Sequence, residues 1–386
     1  MSEPSWGYLI GATVTALAAG LVVWAPRRPR LLGRVSWWVS VLYGEIPALV
    51  LLGLLASTID TLWLGAGGEA GGDGGGAVPP AGILAFLVAG LAASLLVWLL
   101  VQAQWAGRAM RSAVPATGTP RRLGWPAALL LPIPWRPRSV ALTRGLAYGP
   151  EAHQRLDLYR RSDEASPGGP APVLIQLHGG GFVSGRRSKE SLGLIHDLAR
   201  AGWVCLSADY RLARTPGQGH PEHLIDVKRV ISWARTQAPA LNLDPRRIVL
   251  LGTSAGAHLA TMAALTANRA RYQPGFEDAD TSISAFVGFA GYYGPLATTP
   301  DDDSSPFAHV DRPCPPGLIV HGSHDTQTSP RDARELADRL RSSSGGRVRA
   351  VILPGAQHTF DLLDSVRFRH VRHAVVRFCH SLPDPS

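Results

Sequence analysis

The chain has 386 residues, a formal net charge of +9 and 46% hydrophobic residues, long enough for two domains or for one catalytic domain with an added segment. Its positive charge does not imply a nucleic-acid partner: ten basic residues lie before residue 139 against five acids, and no run of bases interleaved with aromatics follows. Three widely spaced cysteines, Cys205, Cys314 and Cys379, support neither a disulfide framework nor a zinc site and fit a reducing compartment.

Up to about residue 105 the sequence is rich in Leu, Ala, Val, Gly and Trp and poor in charge. Stretches 8–24, 35–57 and 81–102 each approach or exceed the roughly 20 apolar residues that cross a bilayer, which predicts three transmembrane helices. The amino-terminal flank MSEPSWG carries an acid and no base, unlike a signal peptide. Arg27, Arg28, Arg30 and Arg34 follow the first stretch, and Arg108, Arg111, Arg121 and Arg122 follow the third. The loop after the second is Gly-rich and mildly acidic, so the positive-inside rule gives an external amino terminus and a cytoplasmic carboxy-terminal domain. Trp24, Trp37, Trp38, Trp98 and Trp105 cluster near the basic ends as interfacial aromatics. Glu45, flanked by Gly44 and Pro47, is either an ionisable group at membrane depth or an interfacial residue before a helix that begins near Ile46 and runs to about Leu64. The first alternative would give the membrane segment a transport or sensing role.

Residues 106–138 form a Pro- and Arg-rich linker, in which GWPAALLLPIPW can lie in the interface with Trp125 and Trp135 as anchors. From 139 to 386 strands and helices alternate. Val140–Tyr148 and Arg155–Tyr159 read as a hairpin, and Pro172–Leu177, Trp203–Ser207, Arg247–Leu251, Ile283–Ala290, Gly317–Val320 and Val348–Leu353 as later strands separated by helices. That alternation predicts an α/β fold with a mostly parallel sheet flanked by helices, and ligands at the carboxy ends of its strands.

Residues 247–256, RIVLLGTSAG, run from a strand through G-x-S-x-G into a helix, the context of a nucleophile elbow. Ser254 is the candidate nucleophile and needs a base. Asp325 and His358 follow later strands in the order Ser, acid, His, which makes His358 the candidate general base and Asp325 its orienting acid. The sequence LHGGGFVSG places three glycines at the end of another strand, where backbone N–H groups can face a developing oxyanion. Gly180 and Gly181, with Ala255, are the candidate oxyanion hole. His321 and His324 compete with His358 but read as turn or packing residues beside the acid, and the run Asp301–Asp303 reads as a solvated loop. Asp209 and Arg211 read as structural supports of the oxyanion loop. No metal or organic cofactor is expected.

The motifs HGGGF (178–182), ADYRL (208–212), GTSAGAHLA (252–260), HGSHD (321–325) and QHTF (357–360) make residues 140–386 resemble the α/β-hydrolase fold. Within it they resemble carboxylesterases of the hormone-sensitive-lipase-like group and the related feruloyl-esterase-like and kynurenine-formamidase-like enzymes. The resemblance implies a Ser254–His358–Asp325 triad and an oxyanion hole of Gly180, Gly181 and Ala255. The chain departs from the lipase-like pattern after DYRLA, where Arg214 and Thr215 replace Pro-Glu, and it has membrane helices in place of a soluble cap. Three-helix membrane esterases resembling it occur among actinobacterial lipase-like proteins, which implies a multi-pass protein of a bacterial plasma membrane. The expected activity is hydrolysis of short to medium acyl esters, the partners being an ester substrate and membrane lipid. The same residues would serve amide or formamide hydrolysis or acyl transfer, and a binding protein that keeps the fold without turnover is the alternative of another class.

Overall fold

A computed structural model describes residues 4–67, 80–114, 132–163, 169–213, 219–296 and 302–383. Four apolar helices come first: α1 (Pro4–Trp24), α2 (Arg30–Tyr43), α3 (Pro47–Gly67) and α4 (Pro80–Ala113). Among the described residues two helices, Trp6–Trp24 and Ala81–Ala113, are long and apolar enough to cross a membrane. The second expected span, 35–57, is instead broken: α2 and α3 meet at 76°, and only if that bent pair is one span does the number of spans reach three. The break falls at Gly44–Ile46, and Pro47, which has no N–H to leave unsatisfied, opens the new helix. The helix start near Ile46 matches, while Glu45 itself is buried and paired with Arg367 rather than left exposed. Most of the acidic loop and of the segment holding Arg121, Arg122 and Trp125 lies outside the described residues.

The strands β1 (Val140–Ala147), β2 (Arg155–Arg161), β3 (Ala171–Leu177), β4 (Val204–Ala208), β5 (Leu243–Thr253), β6 (Ala285–Phe289), β7 (Gly317–Gly322) and β8 (Val348–Leu353) form one sheet in the order β1-β2-β4-β3-β5-β6-β7-β8. β1 and β2 are an antiparallel pair, β2 meets β4 antiparallel, and every later pairing is parallel. The central strands are apolar on both faces because helices cover both.

On one face lie α6 (Glu222–Thr236), α7 (Ala255–Leu265) and α8 (Pro330–Ser343), packing Leu224, Val227, Leu259, Met262 and Leu336 against the sheet. On the other lie α5 (Leu192–Arg200) and α9 (Val366–His380), joined by the carboxy-terminal turns of α4 through Ala106, Met110 and Ala113. The expected linker therefore starts later than residue 106. These small apolar residues at helical spacing are buried in the hydrolase core, so α4 runs from the apolar segment into the folded domain without a joint.

Candidate active site

The site is built at the carboxy ends of β3, β5, β7 and β8. Ser254 stands between β5 and α7 with φ 55° and ψ −113°, a strained turn that lifts its hydroxyl above the sheet. The turn requires Gly252 and Gly256: a Cβ on Gly252 would meet the Gly256 carbonyl at 2.1 Å, and one on Gly256 would meet the Leu177 oxygen at 2.2 Å.

His358, in the loop after β8, places Nε2 3.0 Å from Ser254 Oγ and Nδ1 2.8 Å from Asp325 Oδ2. Asp325 is fully buried after β7. Its carboxylate also accepts from the Gln327 and Thr328 N–H groups at 2.8 and 2.9 Å and from the Thr328 hydroxyl at 2.8 Å. Burial pushes its carboxyl up, but His358 and His321 beside it win and hold it far below the usual carboxylate range. For His358, burial disfavours the imidazolium, yet the charge and hydrogen bond of Asp325 leave it raised. Such a chain can draw a proton from the Ser254 hydroxyl and keep the resulting imidazolium oriented.

Gly180 and Gly181 adopt φ +121° and +61°, and they line, with Ser254, Ala255 and His358, a cavity of about 670 Å³. The loop they belong to is fastened from behind. The Tyr210 hydroxyl donates to the His178 carbonyl at 2.8 Å while its ring stacks on His178 at 4.3 Å, and Asp209 accepts from the Arg187 N–H at 2.6 Å and pairs with its side chain. Asp209 thus supports this loop. Arg211 is bound to Asp226 of α6 through its N–H at 2.8 Å and its guanidinium at 2.9 Å, and its carbonyl meets His223, whose ring stacks on Phe182 of the loop.

His321 lies 3.1 Å from Asp325 Oδ2 and is fully buried, and His324 contacts the Val22 carbonyl at 3.2 Å; the structure brings neither to Ser254. Asp303 departs from a solvated loop, since it accepts from the Tyr272 hydroxyl at 2.6 Å and pairs with Arg271 at 2.8 Å.

Esterase LipC of Mycobacterium tuberculosis is 38% identical to this chain over 273 residues, which cover 64% of this chain and 67% of LipC. The chain belongs to the α/β-hydrolase carboxylesterases. A model of the BD-FAE family matches residues 156–299 of this carboxylesterase. The probable carboxylic ester hydrolase LipM of the same organism is 36% identical over 256 residues, covering 60% of this chain and 58% of LipM. The chain therefore spans about three fifths to two thirds of the length of these two curated relatives. Among solved structures, Thermogutta terrifontis esterase 2, phosphorylated by paraoxon, has the same fold, with a TM-score of 0.55, 22% identity, and coverage of 64% of this chain and 97% of the other.

Two acids of the carboxylesterase site, half-buried Glu190 and fully buried Asp361, were not legible in its sequence. Glu190 accepts from the Gly179 N–H at 2.7 Å, and Asp361 accepts from the Ser191 and Thr253 hydroxyls at 2.6 and 2.7 Å. Burial, then the charge of Asp361, pushes the Glu190 carboxyl up to about 7. Glu190 ties down the glycine loop, and Asp361 joins the start of α5, the end of β5 and the loop of His358. A Glu in GFVSGRRSKES carries no signature of a place in the site; only the folded loop brings it to the cavity that holds Ser254.

One part of the cavity wall is unexpected. Trp37, Trp38 and Val41 of α2 line the same cavity, and the Trp37 ring meets His358 edge-on at 6.1 Å. A helix of the apolar segment thus forms part of the cavity wall.

Proposed function

We propose that this chain is a membrane-anchored serine carboxylesterase that hydrolyses short to medium acyl esters, with its catalytic domain on the cytoplasmic side of a bacterial plasma membrane. The observation that carries the reading is the hydrogen-bonded series Ser254 Oγ–His358 Nε2 and His358 Nδ1–Asp325 Oδ2, at 3.0 and 2.8 Å. Ser254 attacks the ester carbonyl while His358 takes its proton, and Asp325 holds the ring and stabilises the imidazolium. The N–H groups of Gly180, Gly181 and Ala255 receive the oxyanion of the tetrahedral intermediate. The tetrahedral intermediate collapses as His358 returns the proton to the departing alkoxide; the alcohol leaves and the acyl group stays on Ser254 Oγ. Water, activated by the same histidine, then releases the carboxylic acid and restores the hydroxyl.

The anchor reading is supported by the length and apolarity of α1 and α4 and by the continuation of α4 into the hydrolase core. Arginines at the inner ends of the apolar stretches support the orientation. The reaction is tested with p-nitrophenyl butyrate and the detergent-solubilised full chain. A burst of about one nitrophenol per protein, followed by a steady phase, is expected of an acyl-enzyme. Folded protein that releases no nitrophenol would count against the reading.

A further inference from the structure

The geometry assigns α2 a role in substrate selection: it forms the acyl wall of the active site, so that esters dissolved in the bilayer enter between this helix and the hydrolase domain with their hydrocarbon chain against Trp37, Trp38 and Val41. This inference rests on the esterase reading above and adds the source and chemical class of the substrate.

The two faces of α2 carry the argument. Gly33, Ser36 and Ser40 form a buried stripe of small residues, which lets the helix pack closely against α1, where the Ser36 hydroxyl donates to the Leu21 carbonyl at 3.0 Å, and against the domain. There the Gly33 carbonyl accepts from the Thr326 hydroxyl at 2.8 Å, and the Ser36 hydroxyl accepts from the Gln357 side chain at 3.2 Å. Both partners adjoin the triad residues, Thr326 next to Asp325 and Gln357 next to His358. On the opposite side Leu31, Val35, Trp38 and Leu42, spaced by four, three and four residues, form an apolar stripe with 71, 38, 66 and 53% of their surface exposed. A helix with one face docked on protein and the other exposing Leu, Val and Trp lies in an interface plane. The 76° bend into α3 agrees, because it turns α2 away from the direction of its neighbour. Exposed Arg27, Arg28, Arg30 and Arg34 at its start suit anionic head groups.

Trp38 belongs to both surfaces, as it is exposed on the apolar stripe and lines the cavity that holds Ser254. The cavity is thus continuous with the face that meets lipid. Its other lining includes Phe182, Tyr292, Pro295, Leu296 and Leu362, apolar groups suited to a hydrocarbon chain.

The test uses the full chain reconstituted in phosphatidylcholine–phosphatidylglycerol vesicles, with p-nitrophenyl butyrate and p-nitrophenyl decanoate as substrates. Trp38→Ala removes apolar wall, and Val41→Trp fills the space a chain would occupy. Each is expected to lower the decanoate-to-butyrate ratio of kcat/KM about tenfold, the scale on which hydrophobic pockets discriminate chain length. Trp63→Ala, at an exposed position of α3 away from the site, is expected to leave that ratio unchanged. Fluorophosphonate labelling of each variant identifies folded sites. If both α2 variants label and hydrolyse butyrate with an unaltered ratio, the inference is overturned and the esterase reading stands. If labelled-competent wild type hydrolyses neither ester, both fall.

Discussion

Glu45, at the break between α2 and α3, and Arg367, in the first turn of α9, form a buried ion pair 322 positions apart in the chain. The Ser365 hydroxyl donates to the second oxygen of Glu45 at 2.7 Å, and Arg367 also donates to the Gly44 carbonyl at 3.2 Å. An acid that could pass for a group at membrane depth is therefore the bolt between the apolar segment and the hydrolase. Removing one partner leaves an uncompensated buried charge, which costs about 3–5 kcal/mol. Glu45→Gln and Arg367→Met should each lower the denaturation midpoint of the detergent-solubilised protein, and the double replacement Glu45→Leu/Arg367→Met should recover much of the loss. A stable Glu45→Gln protein with unchanged midpoint would contradict the bolt.

Esterase activity should follow the protonation of His358. The ring must be neutral to accept the Ser254 proton, and Asp325 raises its pKa above the ordinary value of about 6.5. Lowering the pH through that raised value inactivates the enzyme, so the acid limb of kcat/KM should have its midpoint above about 6.5. In Asp325→Asn the support is gone and the midpoint should move down. The pH profile of both proteins checks the sign.

The same Asp325→Asn variant should keep its fold while kcat falls by about 10⁴, the scale known for a triad histidine left in the wrong tautomer. Circular dichroism with a butyrate assay separates the two effects. A loss below about tenfold would remove Asp325 from the relay.

Glu190 acts on the glycine loop through the Gly179 N–H and touches no reacting atom, so it is a positioning residue. Glu190→Ala should lower kcat by less than the roughly 10²–10³ lost with an oxyanion donor itself. Glu190→Gln keeps an acceptor for that N–H and should restore most of the rate. It should also delete an ionisation near 7 from the pH profile, a change that a merely space-filling role would not produce.

Much of the hydrolase fold was open to reading because strand ends coincide with chemistry. The runs PVLIQL and RIVLLG end at glycines that must turn sharply, and Ser254, Asp325 and His358 each follow such a run. The apolar segment was less legible. Residues 35–57 read as one span because apolarity alone cannot show that Glu45 has a partner in α9 or that Gly33 and Ser36 meet Thr326 and Gln357. Arg108 and Arg111 suggested a linker, while Ala106, Met110 and Ala113 on the other side of the same helix enter the core. Asp303 looked solvated within three consecutive acids, and its ties to Tyr272 and Arg271 arise only from the folded loop.

The most direct test of the central claim is fluorophosphonate labelling of the solubilised full chain, with peptide mapping of the adduct. The account predicts one adduct, on Ser254, that disappears in a folded Ser254→Ala protein and is strongly slowed in His358→Ala. Absence of labelling in folded wild type, or labelling that persists in Ser254→Ala, would contradict it.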